Sequence, residues 1–160
     1  MTSKTDFTEE EWARLKRGPF VAGLAISLAD PGGPIEAVKE TAATLRTAQA
    51  GAGSAHGALV DEIAREVTSE RKNQLSGFKP HGSTAGVEIL DELRGVNEIL
   101  TGKASPEDAH GYREWLLEAA QEAANAAKEG GFMGWHAERV SAGEQRMLDR
   151  LREVLTDAEG

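Results

Sequence analysis

Glu107 and His110 stand three residues apart in the segment Ser105-Pro106-Glu107-Asp108-Ala109-His110. On a helix that spacing turns a carboxylate and an imidazole toward one metal ion, as in di-iron helical bundles. Such a centre draws on a second Glu-x-x-His pair, and the chain has none; acidic residues of a facing helix, such as Glu62 or Glu66, would have to complete it. A plainer account exists, because acidic residues in a first helical turn also answer the helix dipole. The four histidines, His56, His81, His110 and His136, fall in or beside expected loops and helix ends, where a neutral imidazole can act as base or ligand. Ser54 near His56 and Ser83 near His81 bring a hydroxyl and an imidazole together along the chain only, whereas a nucleophile needs a spatial relay and an oxyanion hole. Gly51 to Gly57 matches neither the dinucleotide fingerprint nor the phosphate-loop pattern and follows a helix, so it reads as a connector. The absence of cysteine removes thiolate nucleophiles, disulfides and cysteine-ligated metal. No catalytic constellation emerges, and no cofactor is implied.

The most distinctive local feature is the turn Glu129-Gly130-Gly131-Phe132-Met133-Gly134-Trp135-His136. Its glycines permit φ > 0, so the chain reverses there while large apolar side chains fold back onto a core or stay outside as a contact patch. Phe132, Met133, Trp135 and His136 are therefore the expected binding residues. A metal site at Glu107 and His110 is the alternative.

The elements that must position these residues are helices. Thr8-Glu9-Glu10-Glu11 is a capping box, with Phe7 and Trp12 spaced as its hydrophobic staple. Gly18-Pro19 is expected to end that first helix and to start a second, Pro19 to Ala29, whose apolar residues all round suggest a central, buried element. Beyond the breaker Asp30-Pro31-Gly32-Gly33-Pro34, the spacing of Ile35, Val38, Ala42 and Leu45 predicts a third helix to about Ala50. A fourth carries Leu59, Val60, Ile63 and Val67 on one face and ends before Ser76-Gly77; a fifth has a wide stripe through Val87, Leu90, Leu93, Val96 and Leu100. Gly95 inside it points to a close helix crossing. Ser105-Pro106-Glu107-Asp108 starts the sixth, with Tyr112, Trp115, Leu116, Ala119, Ala123 and Ala126 inward. Ser141 and Glu144 form a second capping box before the last, which presents Met147, Leu148, Leu151, Val154 and Leu155.

The expected fold is thus all-α: one antiparallel bundle of about six or seven helices over residues 1–160, with 1–6 and 157–160 frayed. Length and composition agree. A chain of 160 residues buries about 70% of its unfolded surface, and alanine-rich, aromatic-poor composition suits helices packed through small faces. The net charge of −9 disfavours nucleic acid and anionic membrane, which repel an acidic surface. The longest apolar stretch, Pro19 to Ala29, is about half of the roughly 20 residues that span a bilayer, and Met1 to Asp6 lacks the basic and apolar regions of a secretory signal. A cytoplasmic location follows as the expectation.

Ala126 to Gly134, Val140-Ser141-x-x-Glu144 and the Phe20-x-x-Gly23-Leu24-Ala25 segment resemble the corresponding parts of a group of small uncharacterised bacterial helical proteins. Their tails carry a similar Glu-Gly-Gly-Phe turn before a capped final helix. The resemblance covers about half the chain and implies no activity. Trp135-His136 departs from the more glycine-rich form of that turn. Together these readings point to an interaction protein whose partner is another protein, a second copy, or a small apolar ligand held near residues 130–136.

Overall fold

In the computed structural model the first helix begins where the sequence places it. Thr8 N donates to Glu11 Oε1 at 2.8 Å, and Glu11 N donates to Thr8 Oγ1 at 3.1 Å. Phe7 packs on Trp12 with ring centroids 5.8 Å apart. The residues described are 2–29, 34–53, 55–70, 74–75, 77–128 and 142–156, with the backbone alone at 34–40, 42, 127 and 128. Among them are six α-helices and no strand: α1 (Glu9–Ala29), α2 (Pro34–Ala50), α3 (Ala58–Ser69), α4 (Ala85–Lys103), α5 (Pro106–Lys128) and α6 (Ala142–Thr156). Short 3-10 turns at Lys4–Asp6 and Gly82–Thr84 precede α1 and α4.

One expected boundary is absent. Gly18-Pro19 does not separate two helices; α1 runs through both to Ala29. Proline at 19 has no N–H to donate to the Leu15 carbonyl one turn back, which ordinarily breaks an interior helix. Here the Tyr112 hydroxyl, from α5, donates to that carbonyl at 2.8 Å. Glycine at 18 makes the approach feasible, since a Cβ there would lie 2.0 Å from the hydroxyl oxygen. The missing intrahelical bond is replaced from another helix.

The buried central element is as expected, with Pro19 to Gly23, Ala25 and Ile26 all enclosed. Around α1 the other helices alternate in direction. Along α1, Glu11, Arg14 and Arg17 meet Lys103, then Gly95, then Glu92 of α4, so this pair is antiparallel. Asn97 of α4 donates to the Val154 carbonyl of α6 at 3.2 Å, while Gly86 and Gly143 share a groove at the other end of the same two helices. An equal advance along both chains means that α4 and α6 run parallel, as alternate members of an up-and-down bundle do. Helix α2 packs most extensively on α5, and Trp115 Nε1 donates to the Thr47 carbonyl at 3.1 Å. One continuous core results, with Leu15, Ile26, Ile63, Leu93, Trp115 and Leu151 fully enclosed.

Other expectations are met in part. The inward faces of α3 and α5 are buried as read. Of the α2 stripe, Ile35, Val38 and Ala42 lie outside the described side chains, and the buried residues there are Ala43, Thr44, Thr47 and Ala48. Helix α3 stops at Ser69, earlier than the expected end before Ser76. Ser69 Oγ donates to the Glu66 carbonyl, a local alternative to helix continuation, and Glu70 is already extended. Val87, read as part of the α4 stripe, is instead 62% exposed. Ser141 falls outside the described residues.

Gly95 does mark a close crossing, though a guanidinium rather than a helix backbone fills it. A Cβ there would lie 2.0 Å from Arg14 Nη2, the mobile end of a long side chain. Gly95→Ala is therefore expected to be nearly neutral. Arg14 swings aside and gives up its contacts to Glu92, while alanine returns about 1 kcal/mol of helix propensity. Urea unfolding checks this, and a loss of several kcal/mol would show that Arg14 is pinned.

Candidate functional site

The carboxylates and imidazoles singled out in the sequence are not brought together. Glu107 and His110 lie exposed on α5, and His110 Nε2 stands 3.2 Å from Glu114 Oε1, one turn on. Glu66 accepts from the Trp12 indole and the Lys4 ammonium, and Glu62 accepts from the Lys4 amide at 3.3 Å. Partial burial pushes the Glu66 carboxyl up, but the Lys4 and Trp12 hydrogen bonds outweigh it and hold it below the usual range. These residues fasten the N-terminal segment to α3. Among the described residues no three His, Asp or Glu side chains converge on a point that could hold a metal.

The remaining described histidines are pinned by carboxylates. His56 Nε2 sits 2.8 Å from Glu118 Oε2, anchoring the 51–57 connector to α5, and His81 Nδ1 sits 3.0 Å from Glu88 Oε1 at the start of α4. The backbone amide and ring of His81 hold the Glu88 carboxyl below its ordinary value. The connector approaches α5 so closely that a Cβ at Gly111 would lie 1.8 Å from the His56 carbonyl oxygen. At His56 the connector is therefore packed against α5. Ser54 and the turn residues Phe132, Met133, Trp135 and His136 lie outside the described residues.

Two hollows remain. A small one of about 110 Å³ lies between α1, α2 and Leu75, bounded by Phe20, Gly23, Leu24 and Thr44. The larger, about 330 Å³, is a groove between the first turns of α4 and α6. Ser83, Gly86, Val87 and Leu90 form one wall, Gly143, Arg146, Met147 and Arg150 the other, and Ala29 closes the end. Gly143 permits that closure, because a Cβ there would lie 2.6 Å from the Ala29 carbonyl oxygen. The two exposed large apolar side chains among the described residues are Val87, in this groove, and Leu28, next to Ala29 in the chain.

The charges in the groove are equally uneven. Arg146 and Arg150 are both exposed and lie one turn apart on α6, and neither makes an ion pair with a described residue. Three nearby acids are engaged elsewhere: Glu88 by His81 and Thr84, Asp91 by Arg94, and Asp149 by Gln145 and Arg152. By contrast Lys16 and Arg17, adjacent on α1, are paired with Glu70 and Glu92. The cationic, apolar groove was not legible as a site, because its two walls are more than 50 residues apart in sequence. The only signal was arginines four apart on a helix also carrying Met147.

Comparison with family models, with curated proteins and with solved structures finds no match to this chain. The resemblance read from residues 20–25, 126–134 and 140–144 rests on the sequence alone. The geometry defines an all-α bundle with a surface groove, and none of its described helices is long and apolar enough to cross a membrane.

Proposed function

We propose that this chain is a cytoplasmic interaction protein that docks a partner along the groove between α4 and α6. The observation that carries this reading is a coincidence on one surface. Val87, the most exposed large apolar side chain of the described residues, lines a groove flanked by two arginines that no described acid neutralises. Exposed apolar patches rimmed by charge mark interaction sites, and arginine is among the residue types enriched at binding hot spots. Phe132, Met133, Trp135 and His136 belong to the proposal on sequence grounds, since they shortly precede α6 in the chain.

A photo-crosslinking amino acid placed at position 87 tests it in the cells that make the protein. A discrete adduct from position 87, absent when the same group stands at the exposed position 107 of α5 and lost in R146E/R150E, is the expected result. No adduct, or the same adducts from both positions, would overturn it.

A further inference from the structure

We infer that the occupant of this groove is an amphipathic helix of another protein, one that sets two carboxylates a turn apart over Arg146 and Arg150 and aliphatic side chains over Val87 and Met147. The inference rests on the groove being the docking surface and adds what docks there.

The groove's shape selects a helix. Its walls are the first turns of two parallel helices, and a third helix laid between such ridges reproduces the packing that builds bundles. Its charges select acidic residues. Arg146 and Arg150 are spaced four apart on α6, so their Cβ atoms lie on one face about 6 Å apart, the same spacing that residues at i and i+4 present on an opposing helix. Arginine holds carboxylates bidentately, which makes the match geometric as well as electrostatic. The helix ends add to this field. Helices α4 and α6 both begin here, at Ala85 and Ala142, and each contributes roughly half a positive charge. The end of α1 at Ala29 contributes one opposing half charge, less than the arginines and the other two ends together.

Two other occupants fit less well. A second copy docked groove to groove by two-fold symmetry would gather four arginines that no described acid neutralises into one interface, where like charges repel. A long-chain carboxylate could pair with one arginine, but its single head group leaves the other without a match, whereas two carboxylates a turn apart on a helix meet both.

The test uses the full chain and two fluorescein-labelled, stapled peptides of about 16 residues, long enough for roughly 24 Å of helix. They share one leucine stripe and differ only in carrying glutamates or lysines at i and i+4 beside it. By fluorescence anisotropy the glutamate peptide is expected to bind about tenfold more tightly than the lysine peptide at low salt, the gap closing as salt screens the arginines. In R146E/R150E the order reverses. Both arginines are exposed, so circular dichroism should show an unchanged fold. Equal binding of the two peptides, or an order that fails to reverse, overturns the inference. So does groove-specific binding of dodecanoate without peptide binding, or a dimer in sedimentation that Val87→Asp disperses. If neither peptide binds while crosslinking from position 87 persists, the occupant is wrong and the docking surface stands; if both fail, the docking surface falls with it.

Discussion

Replacing Tyr112 by phenylalanine is expected to destabilise the protein by about 2 kcal/mol, and replacing Pro19 by alanine in that same chain is expected to return most of the loss. The phenylalanine keeps the ring and removes one donor. Leu15 is fully buried, and an unpaired buried carbonyl costs about 1–3 kcal/mol. No backbone amide can take over, because residue 19 is the position that would supply it and proline has none. Alanine at 19 restores the ordinary helical bond from residue 19 to residue 15, so the hydroxyl becomes dispensable. The double-mutant cycle should therefore show strong positive coupling between two residues that are distant in sequence, read from urea midpoints at constant slope. Additive losses would mean that the hydroxyl contributes through ring packing alone. The bond should persist at alkaline pH, because burial holds the Tyr112 phenol well above its usual value and keeps the hydroxyl a donor.

That replacement also explains what the sequence could and could not reveal. Signals contained within one turn were legible: the Thr8/Glu11 box, the Phe7–Trp12 staple and the start of α5 at Ser105-Pro106 all stand where local chemistry puts them. Gly18-Pro19 was read as a break for the same local reason. The reading failed because the compensating donor comes from Tyr112, 97 residues beyond Leu15, and tertiary partners leave no local mark. Val87 failed in the complementary way. Its spacing fits the α4 stripe, but the stripe is wider than the surface the neighbouring helices cover, so its edge stays in water. The net charge of −9 hid the local cations at the groove, since an average says nothing about which positive charges lack partners. The groove exists only once α4 and α6 lie side by side.

Asp108 carries the second large effect, and its role too was only half visible. In sequence it is a first-turn acid of α5 answering the helix dipole. In the fold its carboxylate caps a second helix, α3, and holds the Ser105 hydroxyl that caps its own. On its own helix Asp108 Oδ2 accepts from Ser105 Oγ at 3.0 Å, while Asp108 N donates back to that oxygen at 3.3 Å. Across the interface Oδ1 accepts from the Leu59 amide in the first turn of α3 at 3.3 Å. The residue preceding α3, Gly57, has no side chain to do this, and a Cβ there would lie 2.8 Å from the same Oδ1. Oδ2 also accepts from the Thr2 amide at 3.2 Å, and Thr2 Oγ1 accepts from Ser105 N at 2.8 Å, so the N-terminal segment joins the knot. Asp108→Ala should cost about 3 kcal/mol at neutral pH, from the lost α3 cap at about 1 kcal/mol and the buried Thr2 amide left unpaired at about 1–3 kcal/mol. In a chain of this size that lowers Tm by about 6–12 °C. Asp108→Asn should fall between, since one amide oxygen replaces two acceptors and its NH₂ faces other donors.

The pH dependence gives the test its sign. Burial raises the Asp108 carboxyl, but the hydrogen bonds from Ser105, Leu59 and Thr2 more than offset that and hold it below its ordinary 3.8. A carboxyl lowered by folding stabilises the protein at pH values above its unfolded value, and that contribution fades as pH falls through the lower folded one. The gap between the native chain and Asp108→Asn should therefore be full at pH 7 and shrink below about pH 4. Urea unfolding at pH 7 and pH 3 decides it. A gap that is the same at both would show that the residue holds the three elements by shape, with no contribution from its charge.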